Sequence, residues 1–310
     1  MMKELLKARL IPLIAALTLI TFVACENDDD DEETGSGVNA NANDASKVSA
    51  LARLEFPRTK GGNSVVIIHS TNDQYGINYS VEWDKDKKSQ RWSCYQLNSM
   101  TCANKVGRYT SKENQYPMDP DLPRKDYLSK DCYWNSGFEH GHICPSYDRR
   151  YNEEAQKQTF YLTNMQPQYS AFNGGDASPW YQLEGPYGFI RNWAAHNDTE
   201  MLYIVKGGTI DDDKVIQKDG KPYLMGGEMR VPKYFFVALL LKNDRGYKAI
   251  GFWMEHKNRY STKESPVDCA VNIRELERLT GIDFFCNLPD DIEERVETLP
   301  IENVKRTWGL

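Results

Sequence analysis

Histidine is scarce in this chain of 310 residues, which contains only five. No apolar run reaches the ~20 residues that a membrane-spanning helix needs, and no Cys-x-x-Cys pair typical of a zinc ribbon is present. We find no internal repeat of solenoid or propeller length. The formal net charge of −7 is modest, so net charge does not indicate a general nucleic-acid binder. The composition excludes a polytopic membrane protein and a wholly disordered chain.

The first 24 residues have the pattern of an export signal. Basic residues precede an apolar run from Leu10 to Ala24, as in a secretory signal peptide. Cys25 ends a Phe-Val-Ala-Cys sequence that resembles a bacterial lipobox, so we expect Cys25 to carry lipid and attach the protein to a membrane. An ordinary cleaved signal with an incidental cysteine is the alternative.

Residues 25–46 predict a flexible acidic tether. Glu26 to Glu33 is an acidic run, and the residues up to Ser46 are mostly Gly, Asn, Ala and Ser, which offer too little apolar surface for a core. Acidic residues after a lipidated cysteine resemble export signals on surface lipoproteins of some Gram-negative bacteria. We therefore expect the outer membrane as the location, with display to the outside. Residues 47–310 form the predicted domain, which is nearly neutral.

Six cysteines remain after Cys25, and an even number in an exported chain predicts disulfides. The sequence leaves the connectivity open. Short spacings favour the pairs Cys94–Cys102, Cys132–Cys144 and Cys269–Cys286.

The order of the predicted elements indicates an α+β fold around a mostly antiparallel sheet. A helix is predicted over Val271–Leu279, with Gly281 as its C′ residue, and residues 103–137 read as a long loop of the kind that covers a site. The predicted strands are rich in β-branched and aromatic residues: Val65–His69, Ile77–Trp83, Arg91–Tyr95, Met201–Lys206, Tyr234–Leu241 and Ala249–Phe252.

Polar residues with chemical potential concentrate between residues 138 and 191. They occur as an ordered series: Glu139-His140-Gly141-His142, then Asn164 before Gln166-Pro167-Gln168, then Asn173, then Trp180-Tyr181-Gln182-Leu183-Glu184. This series resembles the DNA/RNA non-specific endonuclease family, in which Asp-Arg-Gly-His is followed by an Asn-Pro-Gln-like segment and by Asn and Trp-x-x-Leu-Glu. The likeness covers roughly residues 53–300.

The resemblance implies a ββα-metal finger and hydrolysis of phosphodiester bonds in DNA and RNA, leaving 5′-phosphate ends. It implies that His142 is the general base, a role suited to a neutral imidazole. It also implies that Asn173 is the direct ligand of Mg²⁺, or of Mn²⁺, through a hard amide oxygen. Asn164 and Glu184 resemble the residues that hold the base or metal-bound waters.

Two positions depart from the family pattern. Glu139 and His140 stand where the family has Asp and Arg, so a permanent phosphate-binding cation is replaced by one that needs protonation. Arg149, Arg150 or Arg191 could supply the missing charge. Gly185-Pro186 interrupts the helix after Glu184, which leaves the neighbourhood of Glu184 and Arg191 open.

Each of these residues also has a structural interpretation. Asn173 precedes two glycines, which is a turn signal, but Ser178-Pro179 predicts a helix start just beyond it. Trp180 and Leu183 are expected in the core, and His69, His196 and His256 are expected to be structural. Two other functions stay open: a non-catalytic surface lipoprotein that binds nucleic acid or another ligand, and a zinc hydrolase that uses His140 and His142.

Overall fold

A computed structural model of the protein describes residues 37–195 and 201–310. The predicted export signal, Cys25, the acidic run and His196 lie outside these residues. In the described part of the chain, every helix is too short or too polar to span a membrane.

The centre of the molecule is a seven-stranded antiparallel sheet with the strand order β1-β2-β3-β6-β11-β12-β13. All its neighbouring strands run antiparallel. The strands are β1 Ser64–Ser70, β2 Ile77–Asp84, β3 Ser89–Leu97, β4 Glu139–His142, β5 Met165–Gln168, β6 Met201–Gly208, β7 Gln217–Lys218, β8 Lys221–Pro222, β9 Leu224–Met225, β10 Met229–Arg230, β11 Tyr234–Asn243, β12 Gly246–Glu255 and β13 Ala270–Val271.

Helices cover both faces of this sheet. They are α1 Glu153–Gln158, α2 Ser170–Asn173, α3 Pro179–Glu184, α4 Phe189–Ala194, α5 Ile273–Thr280, α6 Asp290–Thr298 and α7 Ile301–Trp308. Side chains of α3, α4 and α7 share one apolar cluster with the sheet, and side chains of α5 and α6 share another. The α+β fold with a mostly antiparallel sheet is confirmed.

Strand β11 shows why the sheet needs cover on both sides. Its side chains alternate between the two clusters, because successive residues of a strand point to opposite faces: Val237 and Leu239 lie in one cluster, and Ala238 and Leu240 in the other. This explains why the strand is apolar without interruption in the sequence.

Local signals in the sequence set the ends of two helices. Helix α5 lies within two residues of the predicted range, and Gly281 follows it with φ +72°, a conformation that glycine adopts without strain. Helix α3 starts after Ser178, whose hydroxyl accepts from the Tyr181 N–H, with Pro179 as its first residue. Gly185 then ends α3 as expected.

Residues 39–43, which the composition assigned to the flexible tether, contact the folded domain. Asn39 donates to the Leu288 carbonyl at 2.6 Å, and Asn43 donates to the Pro57 carbonyl at 3.0 Å. Asn43 is buried. Because asparagine amides satisfy backbone groups of the domain, residues 39–43 are packed against it, and the predicted tether and the boundary at residue 47 do not describe them.

The six cysteines of the described residues are all free, so the predicted disulfides are absent from the structure. The expected partners lie in different parts of the core. Cys94 lies in the cluster that contains α5 and α6, whereas Cys102 packs against the cluster on the opposite face. Cys144 belongs to that second cluster, and Cys132 packs in a third. Short separation along the chain does not place these pairs side by side.

Candidate active site

The Glu-His-Gly-His sequence forms strand β4, which pairs with β5 in a two-stranded ribbon beside the main sheet. Alternation along the strand puts His140 and His142 on one side and Gly141 on the other. The buried Gln168 side chain packs against Gly141, because a Cβ at this position would lie 2.2 Å from Gln168 Cδ. The motif needs glycine here for this close approach.

Asn164 fixes the chain immediately after His142. Its side chain is fully buried, its Oδ1 accepts from the Cys144 N–H at 2.9 Å, and its Nδ2 donates to the Cys144 carbonyl at 2.9 Å. Its own carbonyl accepts from the Ile143 N–H at 3.0 Å. Asn164 therefore positions the backbone that carries His142 and lies behind the site.

His142 presents a neutral imidazole to a cavity of about 700 Å³. Burial, with a further contribution from the positive charge of Arg108, lowers the pKa of His142 to about 3, because the protonated form loses hydration. Its Nε2 is enclosed and has no hydrogen-bond partner among the described residues. A neutral imidazole that lines a cavity can act as a proton acceptor.

Asn173 and Glu139 face the same cavity. Asn173 is the last residue of α2, and its Nδ2 donates to Glu139 Oε2 at 2.6 Å. This contact orients the amide and leaves its Oδ1 as an acceptor. An amide oxygen beside a carboxylate is a donor set that suits a hard divalent cation.

Glu184 also lines the cavity. It ends α3 and forms an ion pair with Lys206 of β6, whose Nζ lies 4.2 Å from the centre of the Trp180 ring. Burial raises the pKa of Glu184, and Lys206 opposes this rise. Trp180 and Leu183 are fully buried, so the prediction that they belong to the core is confirmed.

Comparison with known proteins assigns this arrangement to a family. The model of the DNA/RNA non-specific endonucleases matches residues 63–291. The chain belongs to the DNA/RNA non-specific endonuclease family.

The family includes relatives from distant organisms. A nuclease from Nostoc sp. is 28% identical over 232 residues, which cover 71% of this chain and 75% of that protein. Nuclease C1 of Cunninghamella echinulata is 27% identical, covering 68% and 81%. The mitochondrial nuclease EXOG of Xenopus laevis is 24% identical, covering 69% of this chain and 58% of that longer protein.

A solved structure supports the fold. The crystal structure of the EndoG/EndoGI complex aligns with a TM-score of 0.57 and 22% identity, covering 74% of this chain and 89% of that one. At this identity the likeness establishes the ββα-metal architecture of the endonuclease fold.

His140, which stands where the motif leads us to expect arginine, is enclosed by Asp131 and two tyrosines. Its Nε2 lies 3.0 Å from Asp131 Oδ2, and its ring is stacked between Tyr116 and Tyr133 at centroid distances of 3.7 and 4.1 Å. Burial opposes ionisation of Asp131, but the hydrogen bond from His140 contributes to a lowered pKa overall. The His140 ring is thus held by the loop that precedes it.

The structure does not bring every predicted cation to the cavity. Arg191 is buried and paired with Asp148 at 2.5 Å, and Arg149 is buried with its Nη2 donating to the Gln96 carbonyl at 2.9 Å. Neither lines the cavity, whereas Arg150 does. These buried arginines stabilise the loops behind the site.

Arg108 is the cavity residue that the sequence did not reveal. It comes from the 103–137 loop, and its Nη1 donates to Ser146 Oγ at 2.8 Å. Its guanidinium carbon lies 4.8 Å from the centre of the Phe160 ring. No motif surrounds Arg108 in the sequence, and only the length of the loop indicated that it covers a site.

The remaining described histidines, His69 and His256, do not line the cavity. His256 Nδ1 lies 2.8 Å from the Pro232 carbonyl oxygen, and its Nε2 accepts from the Tyr169 N–H at 2.8 Å; burial lowers its pKa to about 4. His69 Nε2 lies 3.1 Å from buried Asp119, and His69, Asp119 and Asp121 form one of the two groups with metal-ligand spacing among residues 37–195 and 201–310. Neither group contains His140 or His142, which does not favour a zinc hydrolase that uses these two residues.

We predict that Gly141→Ala lowers the free energy of unfolding by about 1–3 kcal/mol, because the new Cβ meets Gln168. Urea unfolding measures this loss. Adding Gln168→Ala should recover part of it, whereas Gly107→Ala is a control, since a Cβ at Gly107 meets nothing within 4 Å. Equal stability of Gly141→Ala and Gly107→Ala would contradict the packing argument.

Proposed function

We propose that this protein is a metal-dependent endonuclease that hydrolyses phosphodiester bonds of DNA and RNA with His142 as the general base. The observation that carries the proposal is the neutral imidazole of His142, which lines a cavity together with Asn173 and Glu139. The low pKa of His142 keeps it in the base form throughout the neutral range. In this role the unprotonated nitrogen of the His142 ring takes a proton from the water that attacks phosphorus.

The acceptor oxygens of Asn173 and Glu139 fit a divalent cation, and we propose Mg²⁺, with Mn²⁺ as a substitute. When bound, the cation neutralises charge that develops on the phosphoryl and leaving oxygens. Asn173 would be the direct ligand, and Glu139 would hold the amide in position through the 2.6 Å contact. Glu184, held by Lys206, would accept hydrogen bonds from waters at the other side of the cavity.

We propose that Arg108, together with Arg150, supplies the permanent positive charge that the family arginine would provide. Both residues line the cavity, and a guanidinium stays charged across the physiological range and can bind phosphate through two N–H groups. His140 would instead position the site through Asp131 and the two tyrosines. This assignment differs from the expectation that His140 itself replaces the arginine.

The substrate class follows from the same groups. Arginines and a metal ion bind the phosphate groups of the nucleic-acid backbone. Such contacts contribute binding affinity that does not depend on the base sequence. We therefore propose that DNA and RNA are cleaved with little sequence preference.

We predict that His142→Ala lowers the rate of plasmid and RNA cleavage at saturating Mg²⁺ by at least ~10²-fold, because it removes the general base. Thermal unfolding should show that the variant remains folded, and a gel-shift assay should show that it still binds DNA. Cleavage at the parental rate would mean that another group activates water. A parent protein that binds nucleic acid but cleaves none with Mg²⁺ or Mn²⁺ would support the non-catalytic alternative.

We predict that Arg108→Ala lowers kcat/KM for plasmid cleavage by about tenfold or more, because a cation is lost from the site of charge development. The kcat/KM of Arg108→Lys should lie between that of the parent and that of Arg108→Ala, since lysine keeps the charge but lacks the planar guanidinium. Arg278→Ala is the matched control, because Arg278 is exposed on α5 and paired with Glu275. Equal values for Arg108→Ala and Arg278→Ala would remove Arg108 from the site.

We also propose that the enzyme is anchored to the outer membrane through lipidated Cys25, on the basis of the sequence that surrounds this residue. Cys25→Ser should move the protein from the membrane pellet to the soluble fraction, because lipid provides the anchor. Retention of the processed variant in the pellet would contradict attachment through Cys25.

A further inference from the structure

A second cavity, of about 500 Å³, lies between the Asn41 segment and helices α5 and α6. Four of its acidic residues approach one another: Glu277, Asp283, Glu293 and Glu297. One carboxylate oxygen from each of Glu277, Asp283 and Glu297 lies within 4.8 Å of the other two. This acidic cluster is formed by residues that play no part in the proposed hydrolysis.

Glu297 is the most unusual member of the acidic cluster. Its side chain is 1% exposed, and its Oε1 has no hydrogen-bond partner in the described part of the chain. A buried carboxylate oxygen without a partner costs free energy unless a cation or a proton neutralises it. The other oxygen, Oε2, lies 3.1 Å from Arg274 Nη2. One side of the carboxylate is therefore compensated, and the other is not.

The basic charge at this cavity is small. Among the described residues that line it, Arg274 is the single cation. It is shared between Glu297, Glu277 at 3.6 Å and Glu294 at 2.5 Å, and its side chain is half exposed. The acidic cluster therefore contains more carboxyl groups than cations.

Asn41 contacts two carboxylates of the acidic cluster, those of Asp283 and Glu293. Its Nδ2 lies 3.2 Å from Asp283 Oδ2 and 3.0 Å from Glu293 Oε1. Ala40 donates its N–H to Asp290 Oδ1 at 3.0 Å. The Asn41 segment and the two helices therefore form a preorganised set of hard oxygen donors.

We propose that the acidic cluster is a second divalent-cation site, with Glu277, Asp283 and Glu297 as ligands of Ca²⁺. Calcium takes about 6–8 oxygen ligands at about 2.3–2.6 Å in flexible geometry. Oxygens on opposite sides of such an ion are about 4.8 Å apart, and one carboxylate oxygen of each of the three residues lies within this distance of the other two. Zinc prefers nitrogen and sulfur ligands, and these are missing from the three proposed ligands. Water completes the coordination.

The bound cation would fasten the N-terminal segment to the domain. Residues 39–41 reach α6 and its preceding loop through Asn39, Ala40 and Asn41. Neutralising the carboxylates removes their mutual repulsion, so Ca²⁺ should raise the thermal stability of the chain. The site is independent of the cleavage reaction.

The test is calorimetric titration of the full-length protein with CaCl₂, together with thermal unfolding with and without Ca²⁺. We expect a site with a dissociation constant of about 10⁻⁴–10⁻³ M, as in extracellular calcium modules, and a rise in Tm. Asn173→Ala should retain this binding, which separates it from any cation at the proposed active site.

Glu297→Gln should weaken Ca²⁺ binding by about tenfold or more and abolish the rise in Tm, because a charged ligand is lost. Without Ca²⁺ this variant should unfold at the same temperature as the parent or higher, because repulsion is relieved; this result excludes a folding defect. Glu275→Gln is the control, since Glu275 lies on α5, the helix that carries Glu277, and is paired with Arg278 outside the acidic cluster.

Absence of Ca²⁺ binding by the parent, or equal binding by parent and Glu297→Gln, would overturn the proposal. Binding that disappears in Asn173→Ala but persists in Glu297→Gln would assign the ion to the cleavage site and would also overturn it. A loss of nuclease activity with this binding intact would concern the proposed function alone.

Discussion

The proposed active site depends on keeping His142 uncharged and fixed at the end of a short strand. A ribbon of two four-residue strands is too small to be stable by itself, so its geometry has to be imposed from outside. Asn164 fixes the chain after β4 through hydrogen bonds to both backbone groups of Cys144. Gln168 fixes the strand itself by packing against Gly141. Burial in this frame gives an imidazole that can accept a proton at neutral pH.

Charge in the proposed cleavage site is arranged around that neutral base. Arg108 adds positive charge, which lowers the pKa of His142 further, so the same cation would favour the base form and attract phosphate. His140, the departure from the family motif, is enclosed by Asp131 and two tyrosines. The proposed site would thus combine the base and the amide ligand that the motif indicates with a cation from a different part of the chain.

The sequence was informative where a local pattern determines the outcome. Alternation and β-branched residues located the strands, Ser178 and Gly281 marked helix ends, and the ordered motifs indicated the residues that line the cavity. It could not reveal Arg108, because the reach of a loop residue depends on tertiary contacts such as Ser146. The disulfide prediction was wrong for the same reason, because tertiary contacts decide which cysteines meet. Cys94 and Cys102 lie near each other in sequence but in apolar clusters on opposite faces of the sheet.

The central claim, that His142 is a neutral base at physiological pH, can be tested by NMR. The ring signal of His142 in the metal-free full-length protein, assigned by its absence in His142→Ala, is followed from pH 8 to pH 5. Because its pKa is lowered to about 3, protonation begins only below this range, and the chemical shift should stay constant. A titration with a midpoint near the unperturbed value of about 6.5 would contradict the account.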